Sequence, residues 1–490
     1  TSFARPNSPA PLRQKSNVPS NVLNSVPVSA ERIRILNNQP PRERAAYVLY
    51  WAQMNRRVEY NHALTHAADI ANAQGLPLLV YESLTCDYPA ANDRLHTFVL
   101  EGIPDNEAAL RALGIGYFFY LRARRSDPND VLYRLASRAH AVITDDYPVF
   151  IATRHNPSVA AHLTTQYIAV DSSCIVPMSH HEKRNYGAYT IRPRINRVLR
   201  AYLKPVELPE IRQKWRDDLL PDGVASLATP VAPAAIPALV ASCEIDHRIR
   251  PSIEYKGGSK EAARRLDRFL DDRLRRYARE SSQPSKHATS TLSPYLHFGH
   301  ISSLEVALTV QAHAREHKLI PDEFLEELIV RRELAFNFAR FTGDQLESLD
   351  ALPDWCKATM AKHAADPRPY LYSPEEFERA ETHDALWNAA QRELLLRGTI
   401  HGYYRMYWGK KIIEWSPTYE EALRTMVHLH DVFALDGRDP NTYTNILWCF
   451  GLHDRPWAER PIFGQLRYMS LEGMKRKTDV DGYIAEINGL

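Results

Sequence analysis

The sequence predicts an α/β N-terminal domain, a parallel doubly wound sheet, followed by an all-α C-terminal domain. Two patterns carry this reading. From about 32 to 170, short apolar runs alternate with helical stretches, as in a parallel sheet wound with helices. From 255 to 485 the apolar period becomes helical, and no convincing strand appears. A length of 490 residues leaves room for both cores.

Residues 1–30 are rich in Pro, Ser and Asn without a periodic apolar pattern, and are expected to be a flexible extension. Strands follow at 45–51 (AAYVLYW), 76–82, 116–121 (GYFFYL), 141–144 and 167–170. Helices lie between them at 61–74, stopped by Gly75, and at 95–113 and 131–140. The α/β domain is thus 31–170. There is no GxGxxG, so a dinucleotide fingerprint is absent. Residues 171–250 are expected to form an interdomain connection, with 221–240 rich in Pro and Ala and poor in charge. The helical domain spans 251–485, with helices at 259–280, 301–317, 322–341, 375–381, 386–397, 400–414 and 419–431.

Composition narrows the function classes. The chain is 44% hydrophobic and 24% charged, ordinary for a globular protein. No apolar run approaches the ~20 residues needed to span a bilayer, and no signal segment opens the sequence. A soluble intracellular monomer without a membrane partner is expected, with nucleus or cytoplasm left open. Five isolated cysteines, with no CxxC, argue against a disulfide framework and against a metal site. The net charge of +2 names no nucleic-acid binder, but local patches do better. Between Ser179 and Lys204 seven basic residues, Arg192, Arg194 and Arg197 among them, face one acid, Glu182. A second basic stretch runs from Arg264 to His287. Both suit phosphate contacts, and equally a solvated helix face.

Three segments carry candidate chemistry. In IHGYYRMYWGKKIIEW (400–415), His401, Arg405, Trp408, Ile412 and Trp415 share one helical face. A guanidinium on so aromatic a face needs an acidic partner, and LDGRDP (435–440) offers Asp436 and Asp439. In TSTLSPYLHFG (289–299), four hydroxyls stand in five residues before a helix start, a natural phosphate cradle or a capping turn. Helix 322–341 carries Glu327 and Arg331 four apart, which alone reads as a surface ion pair.

Together with EELIVRREL (326–334), THDALWNAAQ (382–391), ILWCFGLHD (446–454) and RPIFGQLRYM (460–469), these segments resemble the cryptochrome/photolyase family. They are most similar to its class II photolyases for cyclobutane pyrimidine dimers (CPDs), as is DSSCIVPMSHHEKRNYGAYTIRPRI (171–195). The resemblance covers about 45 to 485. It implies light-driven repair of CPDs by electron transfer from excited FADH⁻ to a dimer flipped out of double-stranded DNA. It implies FAD in the helical domain, contacted by Tyr255 and by Thr289, Ser290, Thr291, Leu292 and Ser293. Arg405 and Asp436 would pair beside the flavin ring, with Gly437, Arg438 and Asp439 also lining it. Glu327 would hydrogen-bond the dimer's bases, with Glu333 the lesser candidate, and Met406, Trp448 and Arg331 would bind substrate. Trp408, Trp387, Trp415 and Tyr372 would relay electrons to oxidised flavin.

The sequence departs from the family pattern at two places. His430 stands in HLHDVF where an Asn is expected facing flavin N5, and Phe336 in ELAFNF where an acid is expected. A histidine at N5 would exchange a proton near neutrality, so photoreduction should vary over about pH 5.5–8. The other reading of His430 is a cap at the end of its helix. No antenna motif is readable; an 8-hydroxy-deazaflavin, a folate or no antenna all stay open. A non-repairing cryptochrome-like photoreceptor and a dark flavin electron-transfer protein are the rivals. Glu327, Met406, Trp448 and the lack of a long tail after Leu490 favour repair.

Overall fold

The computed structural model describes residues 27–490. The extension expected over 1–30 falls outside the described residues as far as residue 26. Six strands form one sheet: β1 (Ile33–Ile35), β2 (Tyr47–Ala52), β3 (Leu78–Thr85), β4 (Gly116–Arg122), β5 (Ala139–Asp145) and β6 (Gln166–Val170). Their order is β1-β6-β5-β2-β3-β4, parallel throughout except for β1, which runs antiparallel to β6 at the edge.

Central β2 is buried along its whole length because helices cover both faces. Val48 and Tyr50 pack toward helices His62–Gln74 and Asp93–Ala112, while Tyr47, Leu49 and Trp51 pack toward Val131–Ala136. Local chemistry sets the helix ends. Asn61 accepts the Leu64 N–H at the first of them, and Gly75 closes it at φ 65°.

The helices read as expected in outline, and several elements differ. Val131–Ala136 stops four residues before the expected end, because pairing with β2 draws Ala139 and His140 into β5. Helices Phe150–Ala160, Asp354–His363, Pro440–Cys449, Leu471–Lys477 and Val480–Asn488 were not read from the sequence. The connection 171–250 holds a 15-residue helix, Ala188–Tyr202, which carries Arg192, Arg194 and Arg197.

Helices Asp322–Leu325 and Arg332–Thr342 are continuous through a π turn, Glu326–Arg331. Arg94, buried in helix Asp93–Ala112, ties the two regions together. Its guanidinium donates to the carbonyls of Leu394 (2.9 Å) and Phe433 (2.6 Å), which close two helices of the C-terminal half. Among the described residues, no helix is long and apolar enough to cross a membrane.

Candidate active site

A cavity of about 800 Å³ opens within the helical region. Helices Gly402–Trp415, Tyr419–Phe433 and Pro440–Cys449 wall it, with 289–293 and Tyr255 on the opposite side. The acid sought for Arg405 is Asp436: Nη2 lies 3.1 Å from both carboxylate oxygens. Burial alone would raise the Asp436 carboxyl, but the adjacent Arg405 guanidinium and the Ser293 hydrogen bond together outweigh it and hold the group below the ordinary range. Arg405 Nε, His401 Nε2 and His430 Nε2 line this cavity without a hydrogen-bond partner among the described residues.

Thr289, Ser290, Thr291, Leu292 and Ser293 all line the cavity. The helix after them, Ser293–His297, has only five residues and no side-chain cap, so the hydroxyls dominate over its dipole. Thr291 sits at φ 57°, a costly conformation for a β-branched residue. Arg265 holds it there, donating to Thr291 Oγ1 at 3.2 Å while stacking 4.2 Å over Tyr255.

A second, more open chamber of about 1030 Å³ adjoins the first. Glu327, Met406, Trp448, His401, Gly402 and Thr289 line both. Glu327 lies in the π turn, a feature that re-aims side chains at functional sites. Solvent reaches its carboxyl through the chambers, yet protein encloses it on most sides, and this enclosure pushes its pKa up.

The π turn also changes the expected ion pair. Arg331 lies 3.6 Å from Glu326, five residues back, rather than pairing with Glu327. Arg331 lines neither chamber and stands 5.9 Å behind Trp448, so it supports that indole. Glu333 points away, accepting the N–H groups of Ile175 (2.7 Å) and Val176 (3.1 Å), and burial pushes its pKa up to about 8. It ties the helix to the connecting segment.

The aromatic residues form one file. Trp408 is in the cavity wall, and Trp387 stacks on it at 6.1 Å with planes 4° apart. Trp415 follows at 6.2 Å and Tyr372 at 5.7 Å. The three indoles are buried, and Tyr372 is half-buried.

His430 faces the cavity and meets Trp408 edge-on at 5.0 Å. Its Nδ1–H donates to the Met426 carbonyl at 2.8 Å, one turn back, so it does not cap the helix end. Burial, then the nearby Arg405 charge, lower its pKa to about 4. Protonation therefore begins only below the 5.5–8 window, and the expected pH dependence is corrected. Light-driven reduction of the loaded protein should give matching profiles over that window for wild type and His430→Asn. A step near neutrality present only in wild type would contradict this.

Three further expectations are corrected. Gly437, Arg438 and Asp439 do not line the cavity. A Cβ on Gly437 would stand 2.3 Å from the His430 carbonyl oxygen, so glycine there serves close backbone approach. Arg438 binds the Asp431 and Ala434 carbonyls and faces a separate cleft. Asp439 caps helix Pro440–Cys449 and accepts from Tyr147 (2.7 Å) and His297 (3.2 Å), a tie between the two regions. Phe336 is also away from the cavity, packed edge-on to Tyr147 at 5.5 Å.

Sequence reasoning missed a charged rim. Arg397 lies 2.9 Å from Glu254, 3.3 Å from Glu393 and 2.7 Å from Glu486, and all four line the cavity. Only the spacing of Glu393 and Arg397, four apart on a helix, was visible beforehand.

Fold and site define a two-part protein, a wound parallel sheet beside a helical region enclosing one deep cavity with a buried ion pair. Residues 48–211 match the family model described as DNA photolyase. The deoxyribodipyrimidine photo-lyase of Methanothermobacter thermautotrophicus is 40% identical over 469 residues, covering 94% of this chain and 99% of that protein. That of Oryza sativa is 38% identical, covering 90% and 88%. Among solved structures, a class III photolyase from Agrobacterium tumefaciens superposes with a TM-score of 0.63 at 18% identity, covering 90% of this chain and 86% of that one. An archaeal photolyase from Sulfolobus tokodaii, solved with two FAD molecules, gives 0.62 at 17%, covering 90% and 89%. The chain belongs to the DNA photolyase family, and its enzyme class is that of the deoxyribodipyrimidine photo-lyases.

Proposed function

We propose that this photolyase repairs cyclobutane pyrimidine dimers in double-stranded DNA, as a member of the class II branch, with FAD as its cofactor. The observation that carries the reading is the pair of adjoining chambers sharing Glu327, Met406 and Trp448. The inner one has the fittings for FAD: hydroxyls for a pyrophosphate, and a buried ion pair beside polar atoms that lack partners. Bound and reduced, FAD would supply light absorption and the transferred electron. Region 251–485 would hold FAD and DNA, joined through 171–250 to the antenna-type domain 31–170.

The chain's own residues orient and shield. Met406 and Trp448 give an extruded dimer apolar surface in place of lost stacking. Glu327, its pKa raised, is suited to donate a hydrogen bond to a carbonyl that gains negative charge. Arg405 and Asp436 fix the cofactor end of the site, and Trp408, Trp387, Trp415 and Tyr372 lead from it to the surface.

Glu327→Ala should bind FAD normally and lower light-driven CPD repair on the order of tenfold, about 1.4 kcal/mol of lost transition-state stabilisation. Wild-type repair in that variant would remove Glu327 from the reaction.

DNA binding should weaken with salt through counterion release. Arg192 is engaged by Glu326 at 2.6 and 3.1 Å, so the exposed Arg194 and Arg197 are the better phosphate contacts. Helix Ala188–Tyr202 packs against the π turn at the chamber rim. Arg194→Glu or Arg197→Glu should weaken binding and flatten log Kd against log salt by ~0.9 per lost contact. An unchanged slope would move the footprint elsewhere.

A further inference from the structure

The aromatic file has an element beyond Tyr372. The Tyr372 hydroxyl and Nδ1 of His383 share a hydrogen bond at 2.7 Å, and the phenolic oxygen accepts the His383 backbone N–H at 3.0 Å. The imidazole lies 4.9 Å from Trp415 and is stacked on Tyr370 at 3.8 Å, while the residue remains exposed to solvent. To accept the phenolic hydrogen, Nδ1 must carry no proton of its own.

The two inner indoles, Trp408 and Trp387, have no such acceptor among the described residues. The Trp387 indole N–H donates to the Trp408 backbone carbonyl at 3.0 Å, and the Trp408 N–H to the Gln391 amide oxygen at 2.9 Å. Neither a peptide nor a side-chain amide takes up a proton near neutral pH. The carboxylate nearest in sequence, Asp384, is occupied by the Tyr407 hydroxyl and the backbone N–H of Trp387, not its indole. Holes on Trp408 and Trp387 can therefore move but cannot shed a proton to these partners. At Tyr372 a proton can leave, because an imidazole is the side chain suited to exchange one near neutrality.

We infer that His383 is the proton acceptor that terminates the electron relay. The inference rests on the relay reading proposed above. Once light has oxidised Trp415, an electron passes from Tyr372 to the Trp415 radical cation and restores the neutral indole. In the same step the Tyr372 O–H bond breaks and an N–H bond forms at His383 Nδ1. The products are a neutral tyrosyl radical and an imidazolium, so the positive charge moves from Trp415 to His383, at the solvent edge. An external thiol then supplies the electron that resets Tyr372, and the proton returns from His383. Coupling the two transfers avoids a phenol radical cation and removes the charge from the buried file, which slows its return.

The test uses the FAD-loaded, oxidised protein under laser flashes, read by transient absorption and electron paramagnetic resonance. Wild type should end on a tyrosyl radical, formed more slowly in D2O than in H2O. His383→Gln keeps a hydrogen-bond acceptor but no base. It should bind FAD fully, lose the tyrosyl signal by roughly tenfold and leave a tryptophan radical whose decay is the same in D2O and H2O. A tyrosyl radical of wild-type yield and isotope effect in His383→Gln would overturn the inference while leaving the relay intact. If Tyr372→Phe leaves the terminal radical unchanged, relay reading and inference fall together. Without cofactor, 15N chemical shifts should show His383 Nδ1 as an unprotonated acceptor that changes in Tyr372→Phe. A protonated Nδ1 in the resting protein would also overturn the inference.

Discussion

Trp408→Phe is expected to keep FAD and to lose photoreduction of the oxidised cofactor by roughly tenfold or more, at least ~1.4 kcal/mol of added barrier. Trp408 is the only member of the file that lines the cavity, and Trp387 stacks on its far side at 6.1 Å. Phenylalanine fills most of the volume but is far harder to oxidise, so the file loses its first step. The lost bond leaves the buried Gln391 amide oxygen without its partner, at about 1–3 kcal/mol, too little to unfold a domain of this size. Bleaching under blue light by stopped exposure and absorbance checks this. A wild-type rate would show that electrons enter elsewhere. Chemically reduced Trp408→Phe should still repair, since repair needs the reduced cofactor and not its refilling.

Arg405→Met should have the largest effect on the site itself. Arg405 is the cation that pairs with Asp436, and both are largely withdrawn from solvent. Removing it strands a buried carboxylate, at a cost on the order of 3–5 kcal/mol. Thermal unfolding should shift downward, and the FAD-to-protein ratio should fall. The double variant Arg405→Met with Asp436→Asn should recover most of the stability, since no lone charge remains, but not the FAD content. A single variant with unchanged unfolding and full FAD would mean that the ion pair does not organise the cavity.

How much of this was legible in the sequence depends on whether a residue acts through its neighbours along the chain or across the fold. The five parallel β strands and the helix bearing Arg405 and Trp408 were visible because period and caps are local, whereas the three-residue antiparallel edge strand β1 was too short to read. The pairing of Arg405 with Asp436 followed from one physical demand, that a buried guanidinium needs an acid. Gly437, Arg438 and Asp439 shared a segment with Asp436, but proximity in sequence did not carry them into the cavity. A tight turn, two carbonyl contacts and a helix cap claimed them.

Helix Pro440–Cys449 was hidden because Asp-Pro reads as a turn, although Asp at the cap and Pro in the first turn are also a helix start. The Glu327–Arg331 spacing misled because it assumes an α turn, whereas the π turn brings Arg331 to Glu326. The rim of Arg397 with Glu254, Glu393 and Glu486 could not be read, since it joins three distant segments. His430 was correctly singled out, but its burial, which lowers its pKa, is a property of the packed fold.

The proposed division of labour gives the inner chamber reduced FAD and the outer one a pyrimidine dimer. It is tested most directly by mixing FAD-loaded, chemically reduced protein with duplex DNA carrying one thymine dimer, in the dark and under blue light, and quantifying intact dimer by chromatography. The expected result is binding without repair in the dark, and conversion of the dimer to two thymines in light, abolished by opening the dimer beforehand. Normal photoreduction and dimer binding with no loss of dimer in light would contradict the account and make the protein a photoreceptor of the same fold.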